Sequence, residues 1–266
     1  MNENNLRICS WNIEGLFKYK DDLDLATYIK DFQICAFSET WGKCESQFEN
    51  FIQGYTNFSK TRKRLKTSGR YSGGITVFVD SRLTENTTIK RIFPEFEDCV
   101  CLLMKGDYLG FTNDIILCFA YISPEGSPIY DLPASQINGV ELFEDKILSN
   151  IVASYPDASI FLAGDFNSRT SCLQDFITKD NIDLIMGTDA YYESDDFDLK
   201  RNSKDKCTNS YDMSFLQMCK TYAIHIFNGR LHQDQKGHFT CIANDGASIV
   251  DYMVGSTCLF NICSFL

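Results

Sequence analysis

The residues with the plainest chemical potential stand in FLAGDFN at 161–167, where a wholly apolar run ends abruptly in Gly164, Asp165 and Asn167. A carboxylate and a carboxamide held at the end of a rigid strand can point into one cleft and engage a metal, a water or a phosphate oxygen. Alone, Gly-Asp-x-Asn serves equally well as a turn, since those are the ordinary turn residues. Two further apolar runs end in the same way, however. RICSWNI (7–13) closes in Trp11-Asn12, and ICAFSET (34–40) closes in Ser38-Glu39-Thr40. Three strand ends thus carry Asn, Glu and Asp/Asn. That trio suits a hard cation such as Mg²⁺, or Mn²⁺ in its place, which takes oxygen from one or two carboxylates and completes its shell with water and substrate phosphate. Zinc would want His or Cys.

The elements that must position these residues are legible as apolar, β-branched runs. Besides the three above they are GGITVFV (73–79), CVCLLMK (99–105), DIILCFAYI (114–122), HFTCIA (238–243) and SIVDYMV (248–254). Several are apolar at nearly every position, as expected when both faces of a sheet are covered. Helices should supply the cover. The clearest spans Ala134–Ser154, with Val140, Phe143, Ile147, Leu148 and Ile151 on one face. A second runs from Asp212, a plausible N-cap, to Tyr222, and a weaker one from Asp22 to Lys30. Polar residues from Gly187 to Asn209, including ESDDFD at 193–198, read as a long loop. Interleaved strands and helices, with hairpin-like neighbours, predict an α/β protein with mixed strand directions, organised as one domain over 1–266.

Composition limits the function classes. Hydrophobic residues make up 44% of the 266 positions, enough for a sizeable core. No membrane-length apolar stretch occurs, so a membrane partner is not expected, and no signal-peptide pattern precedes the first strand. Twelve cysteines without a secretion signal predict reduced thiols in an intracellular compartment, nuclear or cytoplasmic, and the absence of any Cys-x-x-Cys pair argues against structural zinc. A net charge of −11 tells against binding nucleic acid over the whole surface. Local patches remain. KTRKRLK (60–66) with Arg70 concentrates six basic residues, fitting a solvated hairpin loop, a phosphate contact or a nuclear-import signal alike.

Taken together, WNIEGL, FSETW, GRYSGGITVFV, AYISPEGSP, FLAGDFN and SIVDYMVGS occur in an order that resembles the endonuclease/exonuclease/phosphatase superfamily over nearly the whole chain. RNSKDKCTN (201–209) through FNGRLHQDQKGHFTC (227–241) is more similar to the endonuclease domains of non-LTR retrotransposons than to the inositol phosphatase or sphingomyelinase branches. The resemblance implies two mixed β-sheets packed face to face with helices on both outer sides, a four-layer sandwich. It implies a metal-binding role for Glu39, with Asn12 beside it. Asp165 would orient or deprotonate the attacking water, Asn167 would hydrogen-bond the phosphate, and Tyr121 would contact it. Asp251 would hold a catalytic histidine, while Thr240 and Ser248 would lie near bound nucleic acid; Arg70, from the basic run, is a further candidate for substrate binding. Plainer roles stand beside these: a half-buried aromatic for Tyr121, ordinary strand hydroxyls for Thr240 and Ser248. A carboxylate such as Asp251 in an apolar strand is costly to bury without a partner or a task.

The sequence departs from the family at its end. Family members follow the Asp251 strand with Ser-Asp-His, whereas TCLFNICSFL carries no histidine, so the last strand and the catalytic His are expected to be missing. His225, His232 and His238 each fit a structural or solvated role better. Loss of a positioned acid/base group removes roughly 10²- to 10⁴-fold of rate, so weak nuclease activity is expected. The leading expectation is a Mg²⁺-dependent phosphodiester hydrolase acting on DNA. The alternatives are an impaired domain that binds nucleic acid or protein, and a phosphatase for a small phosphorylated molecule.

Overall fold

The computed structural model describes residues 5–62, 71–130, 138–177, 200–244, 246–260 and 263. Two compact units divide the chain, Met1–Asn167 and Ser168–Leu266.

In the first unit, strands β1 (Ile8–Asn12), β2 (Ile34–Ser38), β3 (Tyr55–Lys60) and β4 (Ile75–Asp80) form a sheet in the order β1-β2-β4-β3. β1 and β2 are parallel and the other pairs antiparallel. Strands β5 (Ile89–Ile92), β6 (Cys99–Met104), β7 (Ile115–Tyr121) and β8 (Ser159–Asp165) lie side by side in that order, with only β7 and β8 parallel. The two sheets pack face to face, β1, β2, β3 and β4 meeting β6, β7 and β8. Each sheet therefore contains one parallel pair, and each pair ends level: Asn12 opposite Ser38, and Tyr121 opposite Asp165. This register sets four polar residues on neighbouring strand ends.

Helices cover the sheets. α1 (Leu23–Ile29) starts at Asp22, whose carboxylate accepts from the N–H groups of Asp24 and Leu25, and it buries Leu25 and Ile29 against Cys35, Phe37 and Phe78. α2 (Ser81–Glu85) caps on Asp80. α3 (Gly139–Phe143) opens with a reciprocal Asn138–Glu141 capping box, passes through a π-helical turn at Glu144–Leu148 and continues as α4 (Ser149–Ser154). All five apolar residues of the expected stripe are buried, and Phe143 stands edge-on to Phe166. The expected start at Ala134 lies outside the described residues. Two strands escaped the sequence reading, β3 and the four-residue β5, both at least half polar.

In the second unit, α5 (Tyr211–Thr221) precedes β9 (Ile224–Ile226). A β10 (Cys241–Ala243) and β11 (Gly246–Ser248) hairpin follows, then β12 (Asp251–Ser256) and α6 (Thr257–Phe260). β12 pairs antiparallel with β9. The expected strand 248–254 is thus divided, ending as β11 at Ser248 and resuming at Asp251. Ser210, rather than Asp212, occupies the N-cap of α5; Asp212 sits in the first turn. Of the loop expected over 187–209, positions up to 199 lie outside the described residues. The remainder is pinned, because Asp205 accepts from Arg169 at 2.7 and 2.9 Å and from the N–H groups of Cys207 and Ile249. Among the described residues no helix is long and apolar enough to cross a membrane.

Candidate active site

Five of the expected residues converge in the first unit. Asn12 and Tyr121 end β1 and β7, Asp165 ends β8, and Glu39 and Asn167 lie just beyond β2 and β8. The Asn12 carboxamide bridges the two acids, donating from Nδ2 to Asp165 Oδ2 at 2.9 Å and, more weakly, to Glu39 Oε1 at 3.4 Å. Tyr121 donates its hydroxyl to Glu39 Oε1 at 2.7 Å, and Trp41 donates its indole N–H to Glu39 Oε2 at 3.1 Å. The Asn167 backbone N–H donates to Asp165 Oδ1 at 2.9 Å, while its Nδ2 donates to the Ile122 carbonyl at 2.8 Å. Each acid is thereby held in one rotamer by donors from separate strand ends.

Backbone conformation shapes this convergence. Glu39, Trp41 and Asn167 adopt positive φ of 52°, 56° and 49°, values that few residues other than glycine accept. Gly164 has φ +143°, and a Cβ there would stand 1.9 Å from the Ala120 carbonyl oxygen, so β7 and β8 approach more closely than a side chain allows. The glycine of FLAGDFN is therefore an inter-strand requirement, and the motif is a strand end rather than the turn its composition also permits.

Tyr121 is buried, and that burial, together with the bond to Glu39, pushes its phenol above its ordinary value, the charge of Arg62 opposing. The phenol therefore remains a hydrogen-bond donor. Arg62 escaped the sequence reading except as one charge of the basic run. Its guanidinium donates to Ser123 Oγ and to Asp98 Oδ1, both at 2.6 Å, and lies 5.1 Å from the centre of the Tyr121 ring. No spacing in the sequence announces Asp98 and Ser123 as its partners. Arg70 and the rest of the basic run from position 63 lie outside the described residues.

Asp251, Thr240 and Ser248 belong to the second unit. Thr240 Oγ1 accepts from the N–H groups of Val250 and Asp251, each at 3.1 Å, and the Thr240 N–H donates to the Ser248 carbonyl at 3.0 Å. Thr240 thus braces the start of β12. Burial raises the Asp251 carboxyl to about 6, against the Thr240 hydrogen bond, which lowers it. His225 is buried in β9; His232 and His238 are exposed.

The donor atoms at the first-unit site are carboxylate, carboxamide and phenol oxygens, the set a hard cation prefers. Among the described residues, the sulfur-based alternative is the buried trio Cys99, Cys101 and Cys118, whose thiols lie within 4.8 Å of one another inside the second sheet of that unit.

Comparison with known proteins agrees with this fold. The Endonuclease/Exonuclease/phosphatase family profile matches residues 9–264. No curated protein matches the sequence. Among solved structures, the AP endonuclease LMAP from Leishmania major is similar over 96% of this chain and 80% of that one, with a TM-score of 0.62 and 15% identity. The 3′ phosphatase NExo from Neisseria, bound to a product DNA hairpin, is similar over 97% and 89%, with a TM-score of 0.58 and 10% identity. The endonuclease domain of TRAS1, a telomere-specific non-LTR retrotransposon, is similar over 96% and 86%, with a TM-score of 0.53 and 14% identity.

Proposed function

The chain belongs to the endonuclease/exonuclease/phosphatase family, and from that premise we propose that it is a Mg²⁺-dependent phosphodiester hydrolase acting on DNA, of retroelement type. The observation that carries the reading is the Asn12 bridge, which joins Glu39 and Asp165 into one oriented pair of carboxylates with Tyr121 beside them.

Glu39, with Asn12, would hold the cation, whose contribution is to neutralise charge on the phosphate. Asp165 is oriented by two donors and accepts the proton of the attacking water. The Asn167 carboxamide, anchored on the Ile122 carbonyl, is aimed by that bond and donates to a phosphate oxygen as charge builds on it. Tyr121 donates to Glu39 and keeps that carboxylate in place against the repulsion of a nearby phosphate. The retroelement assignment is supported by the RNSKDKCTN and NGRLHQDQKGH strings.

Supercoiled plasmid nicking at stoichiometric enzyme tests the proposal, comparing the protein with its Asp165→Ala and Glu39→Gln variants, with Mg²⁺ or EDTA. Nicking should require Mg²⁺ and disappear in both variants. Nicking that survives Asp165→Ala would overturn the site. Absence of nicking alongside release of phosphate from a 3′-phosphorylated oligonucleotide or a small phosphomonoester would move the function to a phosphatase.

A further inference from the structure

The strings RNSKDK and QKGH, which the first-unit site leaves unused, build a basic platform in the second unit. Arg201, Lys204, Lys206 and Lys236 line one open depression of about 460 Å³, and no carboxylate joins them there. In a chain of net charge −11 this concentration of four cations is anomalous. The neighbouring acids are engaged elsewhere: Asp205 with Arg169, and Asp234 with the N–H groups of Gly229 and His238.

The platform is constructed rather than incidental. The segment from Asn202 to Lys204 runs beside the turn from Gly229 to Gly237, with the Asn202 N–H donating to the Gly229 carbonyl at 3.1 Å and the Lys204 N–H to the Gly237 carbonyl at 2.9 Å. Asn202 Nδ2 adds a bond to the Gln235 carbonyl at 2.8 Å. Two glycines permit the approach. Gly229 (φ +78°) and Gly237 (φ +60°) would place a Cβ 1.9 and 2.3 Å from the Asn202 carbonyl oxygen, so neither tolerates a side chain. Lys206 is tethered by its ammonium to the Ser203 carbonyl at 2.6 Å, and Lys204 to His238 Nδ1 at 2.9 Å. Beneath them Arg201 is only 6% exposed, and its Nε has no hydrogen-bond partner among the described residues, although Nη2 bonds Thr170 and Leu173. A buried guanidinium N–H without an acceptor is expensive unless an external acceptor completes it.

We propose that this platform binds the phosphate backbone of nucleic acid, with Lys204, Lys206 and Lys236 each neutralising a phosphate and Arg201 fixing the floor. An open depression with spaced lysines on a stiff backbone suits a chain of repeated anions better than a single enclosed one. The inference rests on the nucleic-acid reading of the substrate and assigns a binding surface made by the second unit's own residues.

The test is fluorescence anisotropy of a labelled duplex of about 20 base pairs, in EDTA, across roughly 50 to 200 mM KCl. Wild type is compared with the Lys204→Gln/Lys206→Gln/Lys236→Gln triple variant, the corresponding triple Arg variant and Asp165→Ala. The three lysines are exposed, so the substitutions should leave the fold intact, and a thermal melt of each variant checks this. The triple Gln variant should lose at least about tenfold in affinity, and its slope of log K against log salt should fall by about 2–3, near one for each contact removed. Triple Arg and Asp165→Ala should keep the wild-type slope. A triple Gln variant with wild-type affinity and slope overturns the platform while leaving the nicking result intact. Nicking that survives Asp165→Ala overturns the active site while leaving the slope difference as evidence for the platform.

Discussion

Gly164→Ala should uncouple the site from its scaffold. At φ +143° a Cβ would lie 1.9 Å from the Ala120 carbonyl oxygen, whereas real Cβ contacts under 3.0 Å essentially do not occur. The end of β8 must therefore retreat from β7 by about 1.1 Å, the difference between 3.0 and 1.9 Å. That displacement breaks or stretches the bond from the Ile122 N–H to the Asp165 carbonyl, 2.9 Å in the native protein, and carries Asp165 away from Asn12. Backbone strain of about 1–3 kcal/mol and one or two hydrogen bonds at about 1 kcal/mol each give a destabilisation of about 2–5 kcal/mol. Misplacing a reacting group by about 1 Å removes roughly 10²-fold of rate. Gly54→Ala is the control, since Gly54 also has positive φ (+86°) but nothing within 4 Å of its Cβ. It should lose only about 1–2 kcal/mol and no activity. Urea unfolding and Mg²⁺-dependent nicking read the two effects. Equal stability losses in the two variants would refute the steric argument, and full nicking by Gly164→Ala would refute the positional one.

Removing the Tyr121 hydroxyl with Tyr121→Phe deletes a 2.7 Å bond to a charged acceptor, about 1.5–3 kcal/mol, so kcat/KM for nicking should fall roughly 10- to 150-fold; an unchanged value would show that Glu39 is held without it. Asp175 and Arg230 are both buried and 2.6 Å apart, and Asp175→Asn should destabilise by about 3–5 kcal/mol in urea titrations. Burial opposes the Asp175 charge, but the Arg230 bonds and charge outweigh it and hold the carboxyl below its ordinary value. The stability of this pair should therefore be present above about pH 4 and lost as pH falls further, a dependence that Asp175→Asn should lack. Asp251 behaves oppositely, its carboxyl raised by burial from 3.8 to about 6. The proton is bound more tightly in the folded state, so that stability is present below about pH 4 and lost as pH rises through 6. Asp251→Asn should unfold at higher urea than wild type at pH 8, by up to about 3 kcal/mol, and match it near pH 3; an equal gain at both would sink the burial argument.

Five of the six first-unit strands that the sequence made visible are buried on nearly every residue, so composition alone marks them: CVCLLM and IILCFAY are buried throughout, whereas β1 is only half-buried and was visible through its apolar composition. YTNFSK and IKRI carried no such mark, being half-exposed strands at the ends of their sheets, where polar side chains are tolerated. The helix stripe from Val140 to Ile151 was legible, yet its spacing conceals one extra residue, which the π turn at Glu144–Leu148 absorbs. Of the site, Asn12, Glu39, Tyr121 and Asp165 could be read because each ends an apolar run. Trp41 and Arg62 could not, since one depends on a left-handed backbone and the other on partners 36 and 61 positions away.

A polyanionic substrate and a chain of net charge −11 are compatible because screening confines each phosphate to charges within about 8 Å at physiological salt. At the basic platform the charges that line the depression are four cations. At the candidate active site they are the carboxylates of Glu39 and Asp165, which Asn12, Tyr121 and Trp41 orient without neutralising, while the nearby Arg62 is already paired with Asp98. A phosphate entering there meets net negative charge unless a cation accompanies it, so on the proposed reading the demand for Mg²⁺ comes from the substrate's charge as much as from the fold. The two units should then respond differently to chelation. EDTA should abolish cleavage and any phosphate contact made through Glu39, whereas the salt slope contributed by Lys204, Lys206 and Lys236 should persist. If EDTA also erased the part of the slope that the triple Gln substitution removes, the lysines would not be binding phosphate on their own charge.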